Sequence, residues 1–131
     1  MNVKTCLLVS DDPDDHQAFS EAFSDVSREA IVLNVLDSVK ALELLKAKKH
    51  IPDYFFIDVS MHGMRINSFL KIIANDPAIS KIPTVLFGHE SDILNVEGGD
   101  AYLFFNKEYG FTQLRNFLKE FVRHAADGRV P

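Results

Sequence analysis

Side chains that could do chemistry stand directly after short apolar runs of the chain. Asp11 and Asp12 follow the first such run, Asp58 follows the third, and Lys107 follows the last. Carboxylates about 4 Å apart repel by about 4 kcal/mol at an effective dielectric of 20, and a hard cation such as Mg²⁺ relieves that repulsion. A carboxylate beside a metal-held phosphoryl donor can attack it and become an acyl phosphate. A lysine ammonium would then pair with the new phosphoryl oxygens.

The apolar runs alternate with stretches of helical period, which predicts a parallel sheet with helices on both faces. In such sheets the functional site lies at the carboxyl ends of the strands, so the acids and the lysine should meet at one edge. The predicted strands are Thr5–Ser10, Ile31–Leu36, Tyr54–Ile57, Thr84–Phe87 and Tyr102–Phe105, and the predicted helices are Asp14–Ser27, Val39–Lys49 with Ser38 as N-cap, Asn67–Ala74 and Thr112–Ala126.

Composition excludes several classes of protein. The 131 residues, of which 47% are hydrophobic, fit a single α/β domain spanning residues 1–131. The formal charge of −5 and the absence of a basic stripe argue against nucleic acid as a partner. No apolar run approaches the ~20 residues of a membrane span, and the N-terminus lacks the features of a signal peptide. A single cysteine, Cys6 within the first apolar run, predicts a buried thiol and a cytoplasmic protein.

Four segments together resemble the receiver domain of bacterial two-component response regulators. They read LLVSDDPDD, YFFIDVSMHGM, IPTVLFG and AYLFFNKEYGFTQL, and the resemblance covers roughly residues 4–124. The most specific piece runs from Asp58 to Met64 and is similar to the family's phosphoacceptor loop, Asp-x-x-Met-Pro-Gly-Met. The resemblance implies a flavodoxin-like three-layer α/β/α sandwich with a five-stranded parallel sheet in the order 2-1-3-4-5.

The resemblance also implies roles for single residues. Asp58 corresponds to the phosphorylated aspartate, Asp11 to the direct Mg²⁺ ligand, and the backbone carbonyl of Ser60 to another ligand. Ser10 replaces the first acid of the family's pair, and Asp12 could shift inward to restore the pair. Asp14 and Asp15 are interpreted as acids that favour the start of a helix and carry no chemistry.

Two alignments place the family's lysine differently. Aligned on Gly99 and Tyr102, its position holds Phe105. Aligned on the following helix, Lys107 takes it, because Lys107, Phe111 and Leu114 keep the family's Lys-Pro-x-x-Phe-x-x-Leu spacing with Glu108 for the proline. Phe104 then fills the usual aromatic position, and we favour Lys107.

The chain departs from the family after its fourth predicted strand. Gly88 stands where the family has Ser or Thr, with Ser91 as a conceivable substitute, and His62 replaces the loop proline. Residues 89–99 leave room for about two helical turns, ended by Glu97-Gly98-Gly99, which implies an altered output surface. The five histidines show no metal-ligand spacing and are predicted at the surface, whereas the 11 phenylalanines are predicted in the core.

The leading hypothesis is a stand-alone receiver, not an enzyme, with at most slow autodephosphorylation. A histidine kinase or phosphotransfer protein would phosphorylate Asp58 with Mg²⁺, and output would pass to another protein, since no output domain is expected after residue 126. We expect a monomer or weak homodimer. The alternative is a pseudo-receiver that acts as a phosphorylation-independent interaction module. An aspartyl phosphatase is disfavoured because Ser60 stands where the second acid is needed, and a flavin carrier because no phosphate loop follows the first strand.

Overall fold

The computed structural model describes residues 4–27, 30–47, 51–61 and 65–126. His50, His62, Gly63, Met64 and the predicted helix end at Lys49 lie outside the described residues. The strands are β1 (Lys4–Val9), β2 (Ala30–Val35), β3 (Tyr54–Asp58), β4 (Thr84–Gly88) and β5 (Leu103–Asn106). The helices are α1 (Pro13–Val26), α2 (Ser38–Ala47), α3 (Ile66–Ala74), α4 (Glu90–Ile93) and α5 (Phe111–Ala126).

All strand pairs are parallel, and the sheet order is β2-β1-β3-β4-β5. This order confirms the predicted topology. Val9 pairs with Ile57 and Asp58 with Phe87, so the ends of β1, β3 and β4 stand side by side. β3 is buried along its whole length, as a central strand covered on both faces must be.

Alternation along the strands divides the core between the two faces of the sheet. Leu7, Phe55 and Leu86 face a cluster completed by residues of α2, α3 and α4. Leu8, Phe56 and Phe87 face the opposite cluster, which is completed by α1 and α5. Successive side chains of a strand point to opposite faces, and this produces the three layers predicted for the fold.

The predictions for buried residues are largely confirmed. Eight of the phenylalanines are buried, two are partly buried, and Phe111 at the start of α5 is exposed. Cys6 in β1 is buried, as predicted, and this burial raises the pKa of its thiol well above the ordinary value. Among the described residues no helix has the length and apolar character needed to cross a membrane.

The cap of α2 is one residue earlier than predicted. Ser38 is the first helical residue, and it is the Asp37 side chain that accepts a hydrogen bond from the backbone N–H of Lys40 at 2.8 Å. The prediction of Ser38 as N-cap was wrong because both residues favour caps and only the backbone geometry distinguishes them.

The segment after β4 is less helical than predicted. α4 makes a single turn and ends at Ile93, before the glycines that were expected to end it. The N–H groups of Asn95 and Val96 bond to carbonyls three residues back, as in turns, rather than four residues back as in an α-helix. The Asn67 side chain in α3 donates to the Asn95 carbonyl at 3.2 Å and accepts from the Glu97 N–H at 2.8 Å, which ties this segment to α3.

Candidate functional site

Asp58 lies at the carboxyl end of β3, in the middle of the sheet, and is 1% exposed. One carboxylate oxygen, Oδ1, accepts a hydrogen bond from the backbone N–H of Ser60 at 2.8 Å. The other, Oδ2, lies 3.3 Å from Lys107 Nζ. A buried carboxylate that is held at both oxygens has a fixed orientation, as a nucleophile needs.

Lys107 reaches the site from the segment that follows β5. Its ammonium group is 3.3 Å from Asp58 Oδ2 and 3.3 Å from Asp15 Oδ2, and only 19% of its side chain is exposed. It also lies 5.9 Å from the ring centre of Phe87. The structure therefore brings Lys107 to Asp58. Phe105, the residue of the other alignment, lies in the core on the face of α1 and α5.

Asp15 lies in the first turn of α1, as predicted, and in addition it contacts Lys107 of the site. It is the third residue of α1, and its Oδ2 accepts a 2.8 Å hydrogen bond from the hydroxyl of Ser10 in addition to its pairing with Lys107. Ser10 is fully buried, and its Oγ also accepts from the Asp12 N–H at 3.1 Å. A carboxylate from the first turn of α1 thus stands beside the position where the family has its first acid.

Asp11 and Asp12 follow β1 but differ in their surroundings. Asp11 is exposed, and no hydrogen bond or ion pair of its side chain with another described residue is found. Asp12 is the N-cap of α1 and accepts a hydrogen bond from the Asp14 N–H at 2.9 Å. Of the two carboxylates, Asp11 is therefore available to a ligand, while Asp12 is used by the helix.

Burial and charge shift the ionisation of the central pair. Burial raises the pKa of Asp58, while the Ser60 N–H and Lys107 act in the opposite direction and Asp15 adds to the rise. For Lys107, burial favours the neutral amine, yet the nearby carboxylates of Asp58 and Asp15 outweigh it and raise the pKa. The site thus holds a lysine that stays charged beside a carboxylate whose charge is disfavoured.

The described histidines make fewer contacts with residues of the site than the acids do. The prediction that they lie at the surface holds for His89, which is exposed and lies 3.1 Å from Glu108. His16 is the exception, because its Nε2 is 2.8 Å from the carbonyl oxygen of the buried Ser10. His124 is partly exposed and 3.5 Å from Glu120.

The donor set decides which metal this edge of the sheet could hold. Within the described part of the chain, no group of three or more His, Cys, Asp or Glu side chains is arranged to hold a metal ion. A site made of the carboxylates of Asp11 and Asp58 and the carbonyl of Ser60 would contain only two such side chains, and all of its protein donors would be oxygens. Mg²⁺ is commonly held by one or two carboxylates plus waters and phosphate oxygens, so these residues fit it.

Solved structures similar to this chain include response regulator receiver domains. The phosphorylated cyanobacterial phytochrome response regulator RcpA is 22% identical, with a TM-score of 0.78 and coverage of 95% of each chain. The chemotaxis response regulator CheY4 of Vibrio cholerae is also 22% identical, with a TM-score of 0.73, covering 91% of this chain and 98% of that one. The Mn²⁺-bound form of response regulator Rcp1 is 17% identical, with a TM-score of 0.72, covering 90% of this chain and 91% of that one.

These likenesses establish that the chain has the receiver fold, as the sequence predicted. No family model and no curated protein matches the sequence. One of the similar structures is a phosphorylated protein and another holds a divalent cation.

Proposed function

We propose that this chain is a response regulator receiver that accepts a phosphoryl group on Asp58 from a histidine kinase or a phosphotransfer protein. The observation that carries the proposal is the buried carboxylate of Asp58 at the end of the central strand, held by the Ser60 N–H and by Lys107. The arrangement supplies a positioned nucleophile and a cation for the charge that it receives.

The reaction is a transfer between two covalent carriers. An Asp58 carboxylate oxygen attacks the phosphorus of a phosphohistidine, a phosphorus–oxygen bond forms, and the phosphorus–nitrogen bond of the donor breaks. The donor imidazole keeps the electron pair and takes up a proton. Lys107, already 3.3 Å from Asp58, pairs with the transferred phosphoryl oxygens. Asp15 positions the ammonium group for this pairing.

A Mg²⁺ ion would be held by Asp11, Asp58 and the backbone carbonyl of Ser60. When bound, it neutralises negative charge on the phosphoryl oxygens. Asp12 is the weaker candidate ligand, because binding by its carboxylate would compete with its hydrogen bond to the Asp14 N–H at the start of α1.

The chain is proposed to signal rather than to catalyse a reaction of its own, apart from slow loss of the phosphoryl group. It would act in the cytoplasm as a monomer or weak homodimer and pass its state to another protein by contact. Neither nucleic acid nor membrane is proposed as a partner, in keeping with the net charge of −5.

Amide NMR tests the proposal. Spectra are recorded with Mg²⁺ alone and then with Mg²⁺ and beryllofluoride, which imitates the acyl phosphate. We expect shifts at Asp11, Asp58 and Lys107 that the Asp58→Asn variant does not show. No shift at millimolar Mg²⁺ and beryllofluoride would refute the phosphoacceptor role. A response that survives Asp58→Asn would refute the assignment to that residue.

A second candidate is a pseudo-receiver, an interaction module whose binding does not depend on phosphorylation. It is favoured by Gly88, which offers no hydroxyl group at the end of β4, and by the single turn of α4. The same spectra distinguish the two candidates, because a pseudo-receiver would stay unchanged when beryllofluoride is added.

A further inference from the structure

The end of β4 leaves a space that Ser60 fills. Gly88 has a φ of +144°, a conformation that residues with a side chain rarely adopt. A Cβ atom on Gly88 would stand 2.6 Å from Ser60 Oγ and 3.3 Å from Asp58 Oδ1. The first distance is too short for two non-bonded atoms, so a side chain at residue 88 and the present Ser60 hydroxyl exclude each other. The Ser60 hydroxyl group therefore occupies the place of the side chain that β4 lacks.

The hydrogen bonds of Ser60 connect this hydroxyl group to two elements. The backbone N–H of Ser60 donates to Asp58 Oδ1 at 2.8 Å, while its Oγ accepts from the backbone N–H of His89 at 2.8 Å. His89 is the first residue after β4 and the N-cap of α4. A hydroxyl group that accepts one hydrogen bond still has its own proton to donate. The proton of Ser60 is therefore available beside the carboxylate.

We propose that the Ser60 hydroxyl group donates a hydrogen bond to a phosphoryl group on Asp58. Through its hydrogen bond with the His89 N–H, it couples phosphorylation of Asp58 to the start of α4. This inference rests on the proposed phosphorylation of Asp58. It assigns to the Ser60 side chain a role distinct from that of its backbone carbonyl, which is proposed to hold the cation. It also gives the chain a hydroxyl donor despite the glycine at the end of β4.

Ser91 is the competing hydroxyl group and serves as the matched control. It lies three residues after Gly88 in α4 and is exposed, and it makes no side-chain hydrogen bond to the residues the structure describes. Replacing Ser91 by alanine removes a hydroxyl group of the same kind from the same region. A specific role for Ser60 requires the two alanine variants to differ.

The test is a titration of the full chain with beryllofluoride at saturating Mg²⁺, followed by amide NMR. Ser60→Ala keeps the backbone carbonyl and N–H, so Mg²⁺ affinity should stay within about twofold of the wild-type value. Loss of the hydrogen bond should weaken beryllofluoride binding by about three- to tenfold. The shift of the His89 amide should disappear in this variant, while the shift of Lys107 remains. Ser91→Ala should match the wild type.

Two further variants distinguish loss of the hydroxyl donor from a general loss of structure. Ser60→Thr keeps the hydroxyl group and should restore the affinity and the His89 shift. Ser60→Cys keeps the approximate size of the side chain, but its thiol is a weak hydrogen-bond donor. It should therefore lose beryllofluoride affinity and the His89 shift, and it provides the test if Ser60→Ala folds poorly.

Two outcomes separate the inference from the proposed function. If Ser60→Ala binds beryllofluoride as tightly as the wild type and retains the His89 shift, the inference is overturned while phosphorylation of Asp58 stands. If the wild type itself does not respond to beryllofluoride, the proposed function fails and the inference falls with it. A loss in Ser91→Ala instead of Ser60→Ala would assign the role to Ser91 and overturn the inference as well.

Discussion

Asp15 is the residue whose contact with the site could least be predicted from the sequence. Its partner Lys107 is 92 positions away, and an acid in the first turn of a helix has a sufficient local explanation in the helix dipole. One cue was available. Asp15 is three residues after the N-cap Asp12, a position from which side chains commonly reach back past the helix start.

Removing the charge of Asp15 should lower the pKa of Lys107, because the Asp15 carboxylate is one of the two that raise it. The measurement is an NMR titration of the Lys107 side chain in metal-free Asp15→Asn and wild-type protein. Asp14→Asn is the control, since Asp14 is exposed in the same helical turn. An unchanged Lys107 pKa in Asp15→Asn would contradict the ion pair.

Three glycines allow strain and crowding to be separated. Gly88→Ala should destabilise the chain by more than about 3 kcal/mol, because positive φ and overlap with Ser60 Oγ act together. Gly98 has a φ of +68° with nothing within 4 Å, so Gly98→Ala should cost about 1–2 kcal/mol from strain alone.

Gly99 is the reference in this series, since the atoms nearest its Cβ position lie at an ordinary 3.5 Å and its φ is not in the strained range. Gly99→Ala should stay within about 0.5 kcal/mol of the wild type. Free energies of unfolding from urea denaturation give the ranking. Equal losses for Gly88 and Gly98 would show that Ser60 does not crowd residue 88.

At the scale of elements, the sequence predicted each strand and each long helix to within one residue at nearly every end that the structure describes. Apolar runs and helical periods reflect which residues are buried, and this pattern can be read from the spacing of neighbouring residues. The N-cap of α2 and the length of α4 were predicted incorrectly, because they depend on individual hydrogen bonds. The bond from Asn67 to the backbone at residues 95–97 joins segments that no period connects.

The helix cap of α2 yields a prediction for this scale. Asp37→Ala should cost about 1 kcal/mol, because the backbone N–H of Lys40 loses its acceptor. Ser38→Ala should change stability by less than about 0.5 kcal/mol, since Ser38 is helical and alanine favours helices. Thermal and urea unfolding of both variants measure the difference. A larger loss of stability for Ser38→Ala than for Asp37→Ala would show that Ser38 is the N-cap of α2.

Edge position accounts for the exposed apolar side chains of β2. Ile31 and Leu33 are 50% and 41% exposed, although the run containing them is as apolar as the buried strands. β2 pairs with β1 on one side only, so its apolar composition overstated its burial. Sequence reports the tendency of a strand to be covered, and its place in the sheet decides whether it is.

For the whole molecule, the sequence predicted the meeting of Asp58 and Lys107 because a topological rule brings strand ends together. It could not predict which additional groups would turn toward that edge. The Ser10 hydroxyl, the Asp15 carboxylate and the Ser60 hydroxyl owe their positions to side-chain directions that exist only once the layers are packed.

The electrostatics of Asp58 should be visible in global stability. Burial raises its pKa in the folded chain, so the folded state holds its proton more tightly than the unfolded state does. The contribution of Asp58 to stability is therefore lost as pH rises from its ordinary pKa through the raised value. Asp58→Asn does not undergo this loss.

The stability of Asp58→Asn relative to the wild type should thus be greater at about pH 8 than at about pH 4, in the absence of metal. Urea unfolding in the presence of a chelator measures the difference at each pH. A difference that narrows as pH rises would contradict the stated direction of the pKa shift.

Asp15, Asp58 and Lys107 come from the first turn of α1, the end of β3 and the segment that follows β5. Any single cut of the backbone between Asp15 and Lys107 consequently distributes them over two fragments. Neither fragment would contain all three of these residues, whatever secondary structure it retained. Under the proposed function, recovery of beryllofluoride binding on mixing the fragments would report that the two pieces of the sheet have reassembled without a covalent link.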